Sequence, residues 1–169
     1  MAYRLKPLGP EHDRGDFACG EPALDAYLRE RARKDVVRAV AAVYVMVDER
    51  APTKVMGYYS LSSFAIAFSD LPESILKKLP KYPLLPATLL GRLARDRRYP
   101  GAGSLLLRDA LGRSHRQTAA VGSIAVVAEA KNEAAAVFYR KFGFAHLGGS
   151  GGRLFLPMAT IGQLLRPQG

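Results

Sequence analysis

Along this chain the apolar positions switch repeatedly between runs of strand length and stripes at helical spacing. Residues 89–111, LLGRLARDRRYPGAGSLLLRDAL, hold both patterns in immediate succession. Leu89, Leu90, Leu93 and Ala94 form an apolar run, residues 98–103 hold one proline and two glycines, and Leu105, Leu106, Ala110 and Leu111 recur at helical intervals. The stretch reads as strand, turn, helix, and the other elements are placed relative to it. Tyr3-Arg4-Leu5 alternates as a short first strand would, ended by Pro7, Gly9 and Pro10. A helix opens at Glu21-Pro22 and runs to about Val37, with Leu24, Tyr27, Leu28 and Ala32 on one apolar stripe and Arg29, Arg33 and Lys34 mostly outward.

Residues 39–47, AVAAVYVMV, predict a central strand buried on both faces. Residues 55–68, VMGYYSLSSFAIAF, predict a second long strand, paired with the first as an antiparallel hairpin across a turn at 48–53. Residues 70–86 read as an insertion containing one short helix at 72–79, followed by a segment whose Pro80, Pro83 and Pro86 predict no regular structure. Beyond the central stretch, 121–128 predicts a strand and 132–142 a helix. Strands at 144–147 and 153–156 are joined by a hairpin loop at 148–152, and 158–165 closes the chain as a helix. No repeat and no linker interrupts the pattern, so residues 1–169 read as one α/β domain.

Charge changes this picture. A formal net charge of +10 on 169 residues is large, and the cations fall in clusters, among them Lys77, Lys78 and Lys81, and Arg92, Arg95, Arg97 and Arg98. Such a field attracts polyanions, so nucleic acid or a phosphorylated ligand is the first partner class to consider; any single cluster reads first as a solvated face, and it is the whole-chain excess that needs explaining. Cys19 is the only cysteine, which excludes an intramolecular disulfide and a cysteine metal cage and suits a reducing cytoplasm. The first residues, MAYRLKPLGPEHDRG, carry charge and proline where a signal peptide needs an apolar run, and no run reaches membrane-spanning length.

A strand that feeds a helix through glycines is a candidate anion site. The backbone can come close to a ligand there, and the first unpaired amides of the helix favour phosphate. On the glycines alone, an ordinary strand-to-helix turn is an even alternative. His12, His115 and His146 lack metal-ligand spacing and read as solvated surface residues, Cys19 as packing, and Glu129 as a solvated loop carboxylate.

The element order βαββ(α)βαβαββ is combined with Arg98-x-x-Gly101-x-Gly103 at the central turn and with Asn132, Phe138-Tyr139 and Phe142-Gly143-Phe144 at the next helix. Together they resemble the GNAT acetyltransferases. Four features are similar to the toxin branch of that family: Phe17-x-Cys19-Gly20 followed by Leu24-Asp25-x-Tyr27-Leu28; Gly57-Tyr58-Tyr59-Ser60-Leu61; Leu90-Gly91-Arg92-Leu93-Ala94; and the Phe138-Tyr139 to Phe144 stretch. The resemblance spans nearly the whole chain. It departs from the family pattern in being two residues short between Asp96 and Asp109. Counted back from Asp109, Arg98, Gly101 and Gly103 fill the cofactor-loop positions, the register preferred here. Counted forward from Asp96, Pro100 takes the first of them.

The resemblance implies a GNAT fold with a mixed, mostly antiparallel sheet flanked by helices, acetyl-CoA as acetyl donor, and no metal. It implies that Gly101, Gly103 and Ser104 offer amides to the pyrophosphate with Arg98 adding charge, and that backbone around Leu93, Ala94 and Arg95 polarises the acetyl carbonyl. Asn132 would contact the pantetheine arm or cap its helix, and Tyr139 would act on the sulfur. It further implies a toxin that acetylates the amino group of aminoacyl-tRNA and so blocks translation, with Lys77, Lys78, Lys81 and Arg92 toward the tRNA, a ribbon-helix-helix antitoxin as partner, and a homodimer. Two other readings stay open on the residues: an acetyltransferase for a protein or small amine, and a catalytically weakened module that binds an antitoxin and operator DNA.

Overall fold

The computed structural model describes residues 2–149 and 151–167. Seven strands, β1 (Tyr3–Pro7), β2 (Ala42–Asp48), β3 (Ala51–Ala67), β4 (Leu84–Arg95), β5 (Ala125–Glu129), β6 (Ala145–His146) and β7 (Arg153–Pro157), follow the sheet order β1-β2-β3-β4-β5-β7-β6. The pairs β1/β2, β2/β3, β5/β7 and β6/β7 are antiparallel, and β4/β5 is parallel. The helices are α1 (Pro22–Ala26), α2 (Ala32–Val37), α3 (Glu73–Leu76), α4 (Ala102–Gln117), α5 (Glu133–Lys141) and α6 (Met158–Leu164). This is the mixed, mostly antiparallel sheet with helices that the family resemblance implies. By internal contacts the chain divides into two compact units, Met1–Ser62 with Gly91–Ala110, and Ser63–Leu90 with Leu111–Gly169.

The first unit is built on the expected helical stripe. Leu24, Tyr27, Leu28 and Ala32 are all buried, packed in one cluster with Val43, Val45, Val47, Val55, Tyr58 and Ala94. The helix is not uniform: Tyr27–Arg31 is a π-helical turn between α1 and α2, where the Ala32 amide reaches back five residues to the Tyr27 carbonyl. Tyr58 is fully buried and its hydroxyl donates to the Leu24 carbonyl at 2.7 Å, which satisfies the one polar atom that the ring carries into the core. Tyr59 donates to Asp109, joining β3 to α4. Residues 55–60 are buried without alternation, as a strand covered on both faces requires.

In the second unit, Thr88, Leu89 and Leu90 of β4 lie in parallel register with Val126, Val127 and Ala128 of β5. A cluster of Ile66, Leu71, Leu85, Ala87, Ala125, Val127, Leu147 and Phe155 forms its core.

Several boundaries differ from the pattern-based expectation, each for a local reason. The 39–47 strand begins only at Ala42, because Arg38, Ala39 and Val40 close α2 by donating to Lys34, Val36 and Asp35, with Ala39 left-handed at φ 58°. The turn at 48–53 shrinks to Glu49-Arg50, since the Asp48 side chain accepts from the Arg50 amide and β3 starts at Ala51. Leu84, Leu85 and Pro86 are not irregular but open β4; proline near a strand start loses no ladder bond, and the Pro86 carbonyl still accepts from Ile124. Val121 is exposed and belongs to the closure of α4, so β5 starts four residues later than the apolar run suggests. The 72–79 helix is confined to Glu73–Leu76. The 148–152 loop links β6 to β7, and its Ser150 lies outside the described residues.

Gly57 shows how tightly the first unit is closed. A Cβ there would lie 2.6 Å from Leu106 Cδ1 and 3.0 Å from the Ala94 carbonyl oxygen. Gly57→Ala should therefore destabilise the fold by about 1–3 kcal/mol, the usual cost of overpacking. Thermal or denaturant unfolding measures this, and an unchanged midpoint would show that the contact relaxes freely.

Candidate active site

In the first unit the candidate stretch begins where β4 ends. Leu93 is half-buried, Ala94 buried and Arg95 exposed. The next residue, Asp96, turns inward and is 1% exposed. Its Oδ1 accepts from the Arg98 amide and from Arg98 Nε, both at 2.9 Å, while Oδ2 accepts from Arg98 Nη2 at 3.0 Å and from the Ala18 amide at 3.1 Å. Burial pushes this carboxyl up, but those hydrogen bonds and the guanidinium charge outweigh it and hold the pKa below the usual carboxylate value. Asp96 is therefore ionised at neutral pH. Arg98, which the resemblance sets beside the pyrophosphate as added charge, is the exposed half of an ion pair.

Gly101 follows in a left-handed conformation, φ 90°, and a Cβ there would meet nothing within 4 Å. It is glycine because of the turn, and the backbone around it is open. Helix α4 starts at the next residue, with the Ala102 amide on the Tyr99 carbonyl. Gly103 and the exposed Ser104 consequently lie in the first helical turn, whose amides have no intrahelical acceptor. Open backbone at Gly101, the first-turn amides of Gly103 and Ser104 and a paired arginine suit an anion of diphosphate type. Arg92, placed with the tRNA-facing cations by resemblance, stacks its guanidinium 3.6 Å from the centre of the Tyr27 ring. The Tyr27 hydroxyl donates to Asp35 at 2.7 Å. Burial and that hydrogen bond push the Tyr27 phenol up to about 12, against the opposing charge of Arg92.

In the second unit Asn132 caps α5, its side-chain oxygen accepting from the Ala135 amide at 2.9 Å. Tyr139 lies in the last turn, 5% exposed, its ring against Phe138 and Phe144 with centroids 5.4 and 5.3 Å away. Among the described residues its hydroxyl has no hydrogen-bond partner. Burial alone pushes its pKa well above the ordinary tyrosine value, so the phenol stays protonated.

The Phe142-Gly143-Phe144 motif has a clear structural task. Gly143 is left-handed at φ 98°, its amide donates to Arg140, and the Phe144 amide donates to the Tyr139 carbonyl. With Phe144 packed on Tyr139 this is a Schellman closure, which fixes the helix end at the residue that carries the phenol.

Lys77, Lys78 and Lys81 are exposed and make no ion pair among the described residues; Tyr82 beside them is 60% exposed. Among the described residues no group of three His, Cys, Asp or Glu side chains is placed to hold a metal. Cys19 is half-buried against the first core, and burial together with Asp25 pushes its thiol up to about 11, which keeps it a thiol. His12 is not the solvated residue its sequence context suggests: it is 4% exposed, and its Nδ1 accepts from the Gly9 amide at 2.9 Å. Glu129 is also not a loop residue but the last of β5, paired with Arg153 at 3.3 Å. Asp96 and Asp25, which enter the sequence reading only as motif positions without a role, are the buried acceptors of the Ala18 and Cys19 amides. Their only signal is an acidic residue beside a strand end or a turn glycine, a pattern shared with many solvated carboxylates.

No family model matches the chain. A probable toxin TacT of Sinorhizobium fredii is 34% identical over 172 residues, covering 95% of this chain and 94% of that one. A tRNA-acetylating toxin of Mycobacterium tuberculosis is 37% identical over 130 residues, 76% of this chain and 75% of its own length. Among solved structures, AtaT complexed with acetyl-methionyl-tRNAfMet matches with a TM-score of 0.90 at 30% identity, covering 98% of this chain and all (100%) of that one. AtaTR bound with acetyl-CoA matches at 0.85 and 30% identity, covering 97% and 98%. An AtaT Tyr→Phe variant bound to the C-terminus of the antitoxin AtaR matches at 0.82 and 27% identity, covering 98% and 99%.

The buried phenol gives a direct check. In a spectrophotometric titration, the difference between the wild type and Tyr139→Phe should show no phenolate from Tyr139 through the ordinary range near about 10. Ionisation within that range would mean that the ring is solvated.

Proposed function

This chain belongs to the family of tRNA-acetylating toxins, and we propose that it carries out acetyl transfer with the candidate residues described above. The protein is an acetyl-CoA-dependent N-acetyltransferase that modifies the amino group of aminoacyl-tRNA, and its cognate antitoxin is its protein partner. No helix among the described residues is long and apolar enough to cross a membrane. We place the reaction in the cytoplasm, where charged tRNA is found, and read the antitoxin as the ribbon-helix-helix type and residues 1–169 as one acetyltransferase domain.

Acetyl-CoA supplies the acetyl group as a thioester. The amides of Gly101, Gly103 and Ser104, with Arg98, hold its pyrophosphate at the start of α4. A backbone N–H of the strand around Leu93, Ala94 and Arg95 donates to the acetyl oxygen as charge collects there. Asn132 fixes the start of α5 and borders the pantetheine arm. The α-amino group of the acceptor has a pKa near about 8, so a substantial fraction is already neutral and needs no strong base. As the C–N bond forms and the C–S bond breaks, Tyr139 hydrogen-bonds the departing sulfur and gives it a proton, and the proton shed by the acceptor nitrogen returns through solvent to restore the phenol. Lys77, Lys78, Lys81 and Arg92 hold the tRNA phosphates.

The observation that carries this reading is the state of Tyr139: a phenol in a fixed position, kept protonated by burial, with no partner among the described residues. Such a group is a donor waiting for an acceptor. Incubating the purified protein with labelled acetyl-CoA and aminoacyl-tRNA tests the reaction itself.

Tyr139→Phe should lower kcat by roughly 10²–10⁴, the usual contribution of a positioned acid, while calorimetric affinity for acetyl-CoA stays unchanged. Unaltered turnover would remove Tyr139 from the mechanism. Replacing Lys77, Lys78 and Lys81 together by Ala should weaken aminoacyl-tRNA binding and reduce its log–log salt slope by about 2–3, near one per phosphate contact. An unchanged slope would place the RNA elsewhere.

A further inference from the structure

Asp96 is the buried acceptor around which the phosphate loop is folded, and the catalytic scheme assigns it no part. Its two oxygens take up Arg98 Nε and Nη2 side by side, at 2.9 and 3.0 Å. A guanidinium has five N–H groups in a rigid plane, and this pairing uses one edge of it. The donors left over, both on Nη1 and one on Nη2, lie along the other edges, and the Arg98 side chain is 51% exposed. The same carboxylate reaches the N-terminal part of the chain. Oδ2 accepts from the Ala18 amide, and the Ala18 carbonyl accepts from the Arg97 amide at 2.9 Å. Asp25 Oδ1 holds the neighbouring Cys19 amide at 2.9 Å, and Arg29 Nη1 donates to the Phe17 carbonyl at 3.2 Å. The Phe17-Ala18-Cys19-Gly20 motif, which otherwise has no assignment, is thus a turn pinned against the start of the phosphate loop.

We propose that Asp96 is a positioning residue for acetyl-CoA: by pairing with one edge of Arg98 and with the Ala18 amide, it fixes the loop and aims the free edge of the guanidinium at the cofactor's pyrophosphate. This rests on the reading of Arg98 as part of the phosphate cradle. The role needs a carboxylate. Both oxygens of Asp96 face donors, and the amide of Asn would present an NH₂ to one of them. It also makes recognition geometric. The pair has no net charge, so the pyrophosphate is held by directed N–H groups more than by net attraction.

The test is calorimetric titration of the full-length protein with acetyl-CoA, together with steady-state kinetics. Asp96→Asn should weaken binding roughly tenfold or more, with KM for acetyl-CoA rising in parallel, kcat at saturation within about twofold, and KM for aminoacyl-tRNA unchanged. In an Arg98→Gln background, Asp96→Asn should add less than about twofold, because the residue acts through Arg98. Unchanged affinity overturns the proposal, and so does an equal loss in both backgrounds, which would make Asp96 a scaffold residue only. If Asp96→Asn fails to fold, Arg98→Lys answers the same question, since it keeps the charge and loses the fork. A roughly tenfold loss is expected, and affinity within about twofold of wild type overturns the proposal. A wild-type protein that does not bind acetyl-CoA at all overturns the cofactor reading, and this role with it.

Discussion

The ionised carboxylate of Asp96, taken almost wholly out of water at the end of β4, is the constraint on which the first unit's candidate phosphate loop depends. A buried charge is tolerable only if its oxygens are fully hydrogen-bonded and a counter-charge is close. Two stretches far apart in sequence, around Ala18 and Arg98, supply those partners. The demand of one side chain therefore sets the conformation of the loop that leads into α4. It also explains why a chain so rich in arginine commits one of them to a neutral pair at the point where an anion is expected.

The second unit fixes its candidate residue by a different means. Tyr139 is held by aromatic packing and by the way its helix ends, with the Phe144 amide on its own carbonyl and the Phe144 ring against its own ring. A Schellman closure needs a left-handed residue, and Gly143 takes that position without the steric strain of a Cβ. Apolar surroundings then keep the phenol neutral and leave its hydroxyl without a partner among the described residues. Packing, helix closure and proton affinity are consequences of the same few residues.

Much of this was legible beforehand, and the reasons are local. The stripe of Leu24, Tyr27, Leu28 and Ala32 lies in the core, because helical spacing alone puts those side chains on one face. Asn132 sits at a helix start because its short side chain can accept from an amide three residues on. Reading failed where a nearby hydrogen bond overrode composition. Pro86 proved compatible with a strand, Ala39 took up a left-handed helix end, and the apolar Val121 stayed outside. His12 was misread because nothing in its neighbours reveals that the Gly9 amide would meet its ring away from solvent.

By itself the sequence determined the order of elements, the excess of positive charge and the motifs that carry the family resemblance, all properties of periodicity, composition and short spacing, and that resemblance singled out the candidate phenol. Tertiary structure alone decided which charges are free. Arg98 is paired, Arg92 is stacked on Tyr27, and Lys77, Lys78 and Lys81 stand exposed. In the sequence these are simply basic residues. What separates them is burial and the residue opposite, and both are set by contacts between segments up to tens of residues apart, such as Ala18 with Asp96 and Tyr27 with Arg92.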